Sequence, residues 1–367
     1  MRIPLAVAAT VLVAATAFAQ PVPDGYPKDY PQLVERANKE GRVVVYSTLD
    51  TKAAQPLLKD FAAAYPGIKV EYNDMNSTEI YNRLIAEVAA NQGSADVVWS
   101  TAMDLQVKLV DDGLAATYES PEAHNLPGWA SYKHQAYAAT FEPVGFIYNK
   151  RLVPAEDVPQ DHAAFIRLLA TKTDKYRNKV VGFDLEKSGS GFLFATQDSR
   201  HLAPEQYDAL IRGLAATNER TYASSGNIIE KVASGESSLG YNVLAPYAIA
   251  RARKDPGLGV VLPRDYTLVY SRVTFVTRSA RNPNAARVWT DYVLSKRGQT
   301  VLANQADLFA VRSDLSVEQS AGALSKQLGD ALKPIPVSAD TAAFLDAKKR
   351  VEFLNHWRSV GHGVAAK

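Results

Sequence analysis

Two stretches of the chain repeat one another: Val43-Val44-Val45-Tyr46-Ser47-Thr48-Leu49-Asp50 and Asp96-Val97-Val98-Trp99-Ser100-Thr101-Ala102-Met103-Asp104. In each, β-branched residues lead to an aromatic, then to Ser-Thr, then within two or three residues to an Asp where a helix-like pattern begins. The pattern predicts a strand that delivers two hydroxyls to a helix N-terminus, twice over. Set in one parallel sheet, the two Ser-Thr pairs share its carboxyl edge, where open α/β sheets bind their ligands. The backbone N–H groups at those helix starts and the hydroxyls then face one small polar or anionic molecule.

The flanking sequence fits such a sheet. Between the repeats, Leu57, Leu58, Phe61, Ala62 and Tyr65 fall at helical spacing, and Pro66-Gly67 stops the helix. Ile68 to Tyr72 alternates like a half-buried strand, and Asn76-Ser77-Thr78-Glu79 opens a second helix running to about Ala90. A β-α-β-α-β order implies parallel strands with right-handed crossovers. Upstream lies a helix over Tyr30 to Lys39, and downstream one over Leu105 to Asp112. Tyr137 to Lys150 is then extended, too long and too interrupted at Pro143 for one ordinary strand, as a strand crossing between two lobes is. A second α/β unit follows: helix Ala163 to Thr171, strand Lys179 to Phe183, the loop Glu186 to Gly191, helices Pro204 to Ala215 and Ile228 to Ser234, and strand Ser238 to Asn242. Tyr270 to Thr277 is a second extended stretch, and Thr341 to Trp357 is the clearest helix of a C-terminal helical region.

Residues 1–19 read as a secretory signal, with Met1-Arg2, an apolar run from Ile3 to Ala15 and the A-x-A site Ala17-Phe18-Ala19. That run is shorter than the roughly 20 residues that span a bilayer, so the expectation is an exported protein free in the periplasm. There is no cysteine, hence no disulfide, no thiolate metal site and no lipid attached through a Cys. The formal charge of +2 gives nothing that draws nucleic acid. No cofactor motif is present: the sequence lacks a GxSxG elbow, HExxH, a P-loop and a dinucleotide fingerprint. Catalytic residues are not expected, because hydroxyls without a nearby His or Lys base bind rather than attack.

Five clusters rich in hydroxyls or amides lie at helix starts: Ser47-Thr48, Asn76-Ser77-Thr78, Ser100-Thr101, Ser188-Gly189-Ser190-Gly191 and Ser224-Ser225-Gly226-Asn227. Each either caps its helix or touches a ligand. The two glycines of the Ser188 cluster let backbone approach a ligand, and its amides suit an anion nest. Glu142, just before Pro143, accepts hydrogen bonds from a sugar-like hydroxyl, locks the closed state or stands solvated at the hinge; Tyr241, Asn242 and Tyr270 either stack on and bond the ligand or pack in the core.

Phe146-Ile147-Tyr148-Asn149-Lys150-Arg151-Leu152-Val153-Pro154 resembles the "YN-x-x-L" segment that follows the hinge in bacterial extracytoplasmic solute-binding proteins of class II. Asn282-Pro283-Asn284-Ala285-Ala286-Arg287 through Ser295-Lys296-Arg297-Gly298-Gln299 is similar to their late "hPnAA…F…S-x-x-Q" element. The resemblance runs over about residues 40–315 and is closest to the branch of ferric-ion and organophosphate or phosphonate binders. It implies an α/β fold of two lobes, each a parallel-rich sheet flanked by helices, joined by two crossover strands near Tyr137 to Glu142 and Leu268 to Val273. Residues 40–138 and 272–312 then form lobe one, 139–271 form lobe two, and 313–367 pack mainly on lobe two. The implied function is that of a monomeric receptor that captures a small anionic solute, phosphorylated or carboxylated, and delivers it to an inner-membrane ABC permease. Ferric binders carry a neighbouring Tyr-Tyr pair after the second-lobe strand, where this chain reads Asn242-Val243-Leu244-Ala245-Pro246-Tyr247. A ferric receptor therefore stands as the alternative, and a periplasmic hydrolase using Ser188 or Ser100 as the third reading.

Overall fold

The computed structural model describes residues 25–365. The signal expected over residues 1–19 lies outside the described residues. The strands are β1 (Arg42–Ser47), β2 (Lys69–Asp74), β3 (Val97–Ser100), β4 (Ser131–Tyr132), β5 (Ala136–Ala138), β6 (Glu142–Asn149), β7 (Val180–Phe183), β8 (Arg220–Tyr222), β9 (Leu239–Leu244), β10 (Leu258–Val261), β11 (Thr267–Tyr270), β12 (Val273–Val276) and β13 (Leu332–Pro334). They form two sheets, ordered β2-β1-β3-β12-β5-β4 and β13-β11-β6-β9-β7-β8, with β10 pairing β6 beside the second path.

In the first sheet β1 runs parallel to both β2 and β3, and Ser47 sits in register with Trp99, one residue short of Ser100. The two repeats are thus adjacent strands ending at one edge. Helices Thr51–Ala64 and Ser77–Ala89 make the crossovers. Phe61 of the first is wedged edge-on against Trp289 and Tyr292, at 4.9 and 5.1 Å between centroids, a geometry that adds to the gain from burying the rings. In the second sheet β7 is parallel to β8 and β9, while β6 is antiparallel to β9 and β11.

The long extended stretch is two strands. β5 pairs with β12 in the first sheet and β6 with β11 in the second, so the chain changes partner at residues 139–141. The second crossover changes over at Ser271 and Arg272. The two switch points are stitched together: Ala139 N donates to Arg272 O, Ser271 Oγ to Thr140 O and Arg272 N to Thr140 Oγ1, each at 2.8 Å.

One local expectation needs correction. Residues 341–357 are not one helix: a 3-10 segment, Ala339–Leu345, ends at Asp346, and a new helix, Ala347–Ala365, begins there. Asp346 Oδ1 accepts the N–H of Lys349 at 3.0 Å, an N-cap that restarts the helix. The unforeseen helix Ala245–Ala252 begins at Ala245-Pro246, because proline is tolerated in a first turn where its missing N–H has no intrahelical partner. In the C-terminal region, β13 pairs with β11 and the last helix packs on helix Pro204–Ala216, both in the second lobe, but the 3-10 segment packs on helix Met103–Asp111 of the first.

Candidate ligand-binding cleft

At the first-lobe edge the buried hydroxyls of Ser47 and Ser100 turn back on their own backbone. Ser47 Oγ accepts Leu49 N at 3.1 Å and Ser100 Oγ accepts Ala102 N at 3.2 Å, fixing the turns that follow the strands. The threonines tie the repeats together: Thr48 Oγ1 accepts the N–H of Thr101 at 2.9 Å, and Thr48 N donates to Trp99 O at 3.1 Å. Helix Thr51–Ala64 does not offer the open positive end expected of it. Asp50 accepts Ala53 N at 2.9 Å and Asp74 accepts Thr51 N at 3.0 Å, so the protein's own carboxylates meet that end. Ser77 is the first residue of its helix, and the cap is Asn76, whose Oδ1 accepts Glu79 N at 2.8 Å. It follows the edge strand β2, one strand further from β3 than Ser47 is.

At the second-lobe edge, β7, β8 and β9 are parallel and end side by side. The Ser188 cluster is not a free loop: helix Gly189–His201 begins within it, with Ser188 Oγ accepting Gly191 N at 3.1 Å. Its glycines have separate reasons. A Cβ on Gly191 would overlap Cβ of Phe183, whereas one on exposed Gly189 would meet nothing within 4 Å. Ser190 Oγ lies 3.1 Å from the hydroxyl of Tyr270 on the second crossover. Next to it, Ser224 Oγ caps helix Ser225–Ala233 through Asn227 N at 3.3 Å, and Ser225 Oγ accepts Leu244 N at 3.2 Å. The first amides of both helices, at Gly189, Ser190, Ser225 and Gly226, have no hydrogen-bond acceptor among the described residues.

Tyr241 and Asn242 serve the core rather than a ligand. The Tyr241 ring packs on Phe146 and Phe165, at 5.5 and 5.0 Å. Asn242, with φ 52°, turns its amide the same way. Tyr241 Oη and Asn242 Nδ2 donate to Asp198 Oδ2 at 3.0 and 2.5 Å, and Tyr266 Oη donates to Oδ1 at 2.8 Å. A buried carboxylate needs such donors, and it takes both side chains away from the edge.

The residue that joins the two edges is one the sequence reading did not single out. Arg272, on the second crossover, donates through Nε to Glu142 Oε1 at 2.9 Å, through Nη1 to Thr48 Oγ1 at 3.5 Å, and through Nη2 to the hydroxyl of Tyr247. The Arg272 and Glu142 side chains are 1% and 0% exposed, a buried ion pair lying across the two crossovers. Burial opposes charge on the guanidinium, but Glu142 and Tyr247 outweigh it and hold Arg272 firmly protonated. Thr140 Oγ1 donates to the same Glu142 Oε1 at 2.8 Å, while Oε2 has no partner among the described residues. The signal for Arg272 was present: it is the single charged residue between Tyr266 and Arg278 in an otherwise buried extended stretch. A search for cations confined to the hydroxyl clusters passes over it.

Thr48, Thr101, Arg272, Glu142 and Tyr247 therefore form a connected polar set from first lobe to second, while Ser190 and Tyr270 bond to each other as a separate pair. Tyr247 is half-buried at the first turn of helix Ala245–Ala252. Tyr241 and Tyr247, the two tyrosines nearest the position of a ferric pair, bond to different partners, Asp198 and Arg272.

A model of the family described as bacterial extracellular solute-binding protein matches residues 56–323. The substrate binding protein of an ABC transporter from Agrobacterium tumefaciens is 36% identical, with a TM-score of 0.79 over 87% of this chain and 94% of that one. At 20% identity and a TM-score of 0.66, the periplasmic binding protein AfuA from Actinobacillus pleuropneumoniae, with fructose-6-phosphate bound, covers 87% of this chain and 98% of its own. Iron-bound HitA from Pseudomonas aeruginosa has the same fold at 17% identity and a TM-score of 0.66, over 87% of this chain and 99% of that one.

Proposed function

This chain belongs to the bacterial extracellular solute-binding proteins of ABC transporters, and from that premise we propose that it captures a small organic anion in the cleft between its two sheets. The observation that carries the reading is the path Thr48–Arg272–Tyr247, in which a buried guanidinium spans the carboxyl edges of both lobes. Such a cation desolvated at a hinge is suited to carboxylate and phosphate oxygens. Free amides at the starts of helices Gly189–His201 and Ser225–Ala233 add donors from the second lobe, and each helix end contributes about 0.3–1 kcal/mol toward an anion.

Capture then proceeds by closure about the crossovers. A solute seated on one edge gains the second set of donors only when the lobes meet, so binding shifts the population toward the closed form. The closed monomer is what an inner-membrane permease would receive, with the periplasm as the working compartment. No helix among the described residues is long and apolar enough to cross a membrane.

Thermal denaturation against phosphate esters, phosphonates, carboxylates and ferric citrate tests the reading, because a ligand that binds only the folded state raises the midpoint with concentration. Stabilisation by an organic anion, lost on Arg272→Met, is expected. A failure of every anion to shift the midpoint, together with a visible tyrosinate band on adding ferric citrate, would replace the anion with iron.

A further inference from the structure

The unpartnered oxygen of Glu142 narrows the class of solute. Glu142 is fully buried at the hinge, and its two oxygens are in different situations. Oε1 takes Arg272 Nε at 2.9 Å and Thr140 Oγ1 at 2.8 Å, while Oε2 has no donor among the described residues. A buried acceptor on a charged group is costly to leave unmet, and this one sits within the polar set that joins the two lobes. The first-lobe edge carries carboxylates at its helix starts: Asp50 and Asp74 at one, and Asp104 at another. The second-lobe side offers free N–H groups. The cleft is therefore two-ended, accepting hydrogen bonds at the hinge and first lobe and donating them at Arg272 and the second lobe.

We infer that Glu142 Oε2 is a specificity-determining acceptor, so that the solute is an anion carrying a hydroxyl or ammonium donor a few atoms from its charge, not a bare oxyanion or a simple alkyl phosphate. This assignment rests on the anion reading of the cleft. The fixed geometry makes it testable, since Arg272 and Thr140 both donate to Oε1. A Glu142→Gln amide must keep its oxygen toward them and place its NH2 where Oε2 was, turning an acceptor into a donor with little change of shape.

The experiment compares propyl phosphate, glycerol 3-phosphate and 3-aminopropyl phosphate by calorimetry on the wild-type protein and on Glu142→Gln. Wild type is expected to bind at least one donor-bearing ester tenfold or more tighter than propyl phosphate, and the hydroxyl and ammonium arms identify which donor it takes. In Glu142→Gln that ratio should fall to about one. Equal affinity of wild type for all three esters overturns the assignment and leaves the anion reading standing. An undiminished preference in Glu142→Gln overturns it as well. If none of the three esters binds wild type, the assignment falls, and the anion reading is decided separately by the phosphonates and carboxylates of the thermal panel. Should Glu142→Gln not fold, the wild-type comparison of esters decides alone.

Discussion

Thr48 Oγ1 accepts the backbone N–H of Thr101 at 2.9 Å, so the second residue of one Ser-Thr pair holds the second residue of the other. The bond crosses from the end of β1 to the end of β3 and brings the two repeats to a common point, to which Arg272 also donates. The repetition in sequence is thereby a single structural device. Two strand ends of like composition are fixed against each other before any solute arrives, which lowers the ordering cost of binding there.

Thr48→Val should expose the value of that bond. It leaves a half-buried Thr101 N–H without its acceptor and removes one partner of a buried guanidinium, a loss of about 1–3 kcal/mol for an unmet group. Thr48→Ser retains the oxygen and should lose less than half as much. Urea unfolding of the two variants beside wild type checks this, and equal losses would mean that the methyl contributes as much as the oxygen and that the bond has no special value.

The Arg272–Glu142 pair invites a double-mutant cycle. Arg272→Met leaves the Glu142 carboxylate buried beside Tyr247 and Tyr270 without its cation, and breaking a buried pair from one side costs about 3–5 kcal/mol. Adding Glu142→Leu removes the stranded charge and should restore most of that stability, since apolar replacements of buried pairs are often neutral or favourable. Solute affinity should stay lost in the double variant. Independent, additive effects of the two changes on the urea midpoint would show that the pair is not coupled.

How much of this was legible in the sequence divides along the range of the interactions. The β1 and β3 repeats, the helices between them and the two crossovers follow from local periodicity and turn chemistry, and these elements stand close to where the pattern puts them. The caps of Ser188 and Ser224 were equally readable. What escaped depends on partners distant in the chain. Asp198 and Tyr241 are 43 positions apart and Arg272 and Thr48 are 224 apart, and no local pattern says that a strand-end tyrosine will serve a buried carboxylate. Asp74 likewise reaches the start of helix Thr51–Ala64 only because β2 lies beside β1.

Gly189 and Gly191 look equivalent in sequence and should behave oppositely. Gly191→Ala drives a methyl into Phe183, which the β7 strand cannot easily yield, and overpacking of this kind costs typically about 1–3 kcal/mol. Gly189→Ala meets open space at a first helical position, so the unfolded-state entropy it removes should leave stability unchanged or raised by about 0.4–1 kcal/mol. If solute lies on the free amides there, the same methyl obstructs it. Thermal midpoints without solute, and affinity with it, separate the two effects; a Gly189→Ala protein that binds as tightly as wild type would place the solute elsewhere in the cleft.

Asp291 is buried, and burial pushes its carboxyl up to about 7, against the opposing pull of hydrogen bonds from Ser120, Tyr118 and Tyr30. Those donors lie at 2.6 Å from Oδ1 and at 2.6 and 2.9 Å from Oδ2. In the unfolded chain an aspartate titrates near 3.9. Between about pH 4 and 7 the folded protein thus holds a proton that the unfolded chain has released, so this group's contribution to stability is complete at the acid end and declines as pH rises through the window. Each unit of the window contributes up to about 1.4 kcal/mol. Asp291→Asn has no proton to lose. The wild-type unfolding free energy minus that of Asp291→Asn, measured by urea between pH 4.5 and 7.5, should therefore fall steadily with pH. A difference that is flat, or that rises with pH, would mean that the three hydroxyl donors outweigh burial and keep Asp291 ionised throughout.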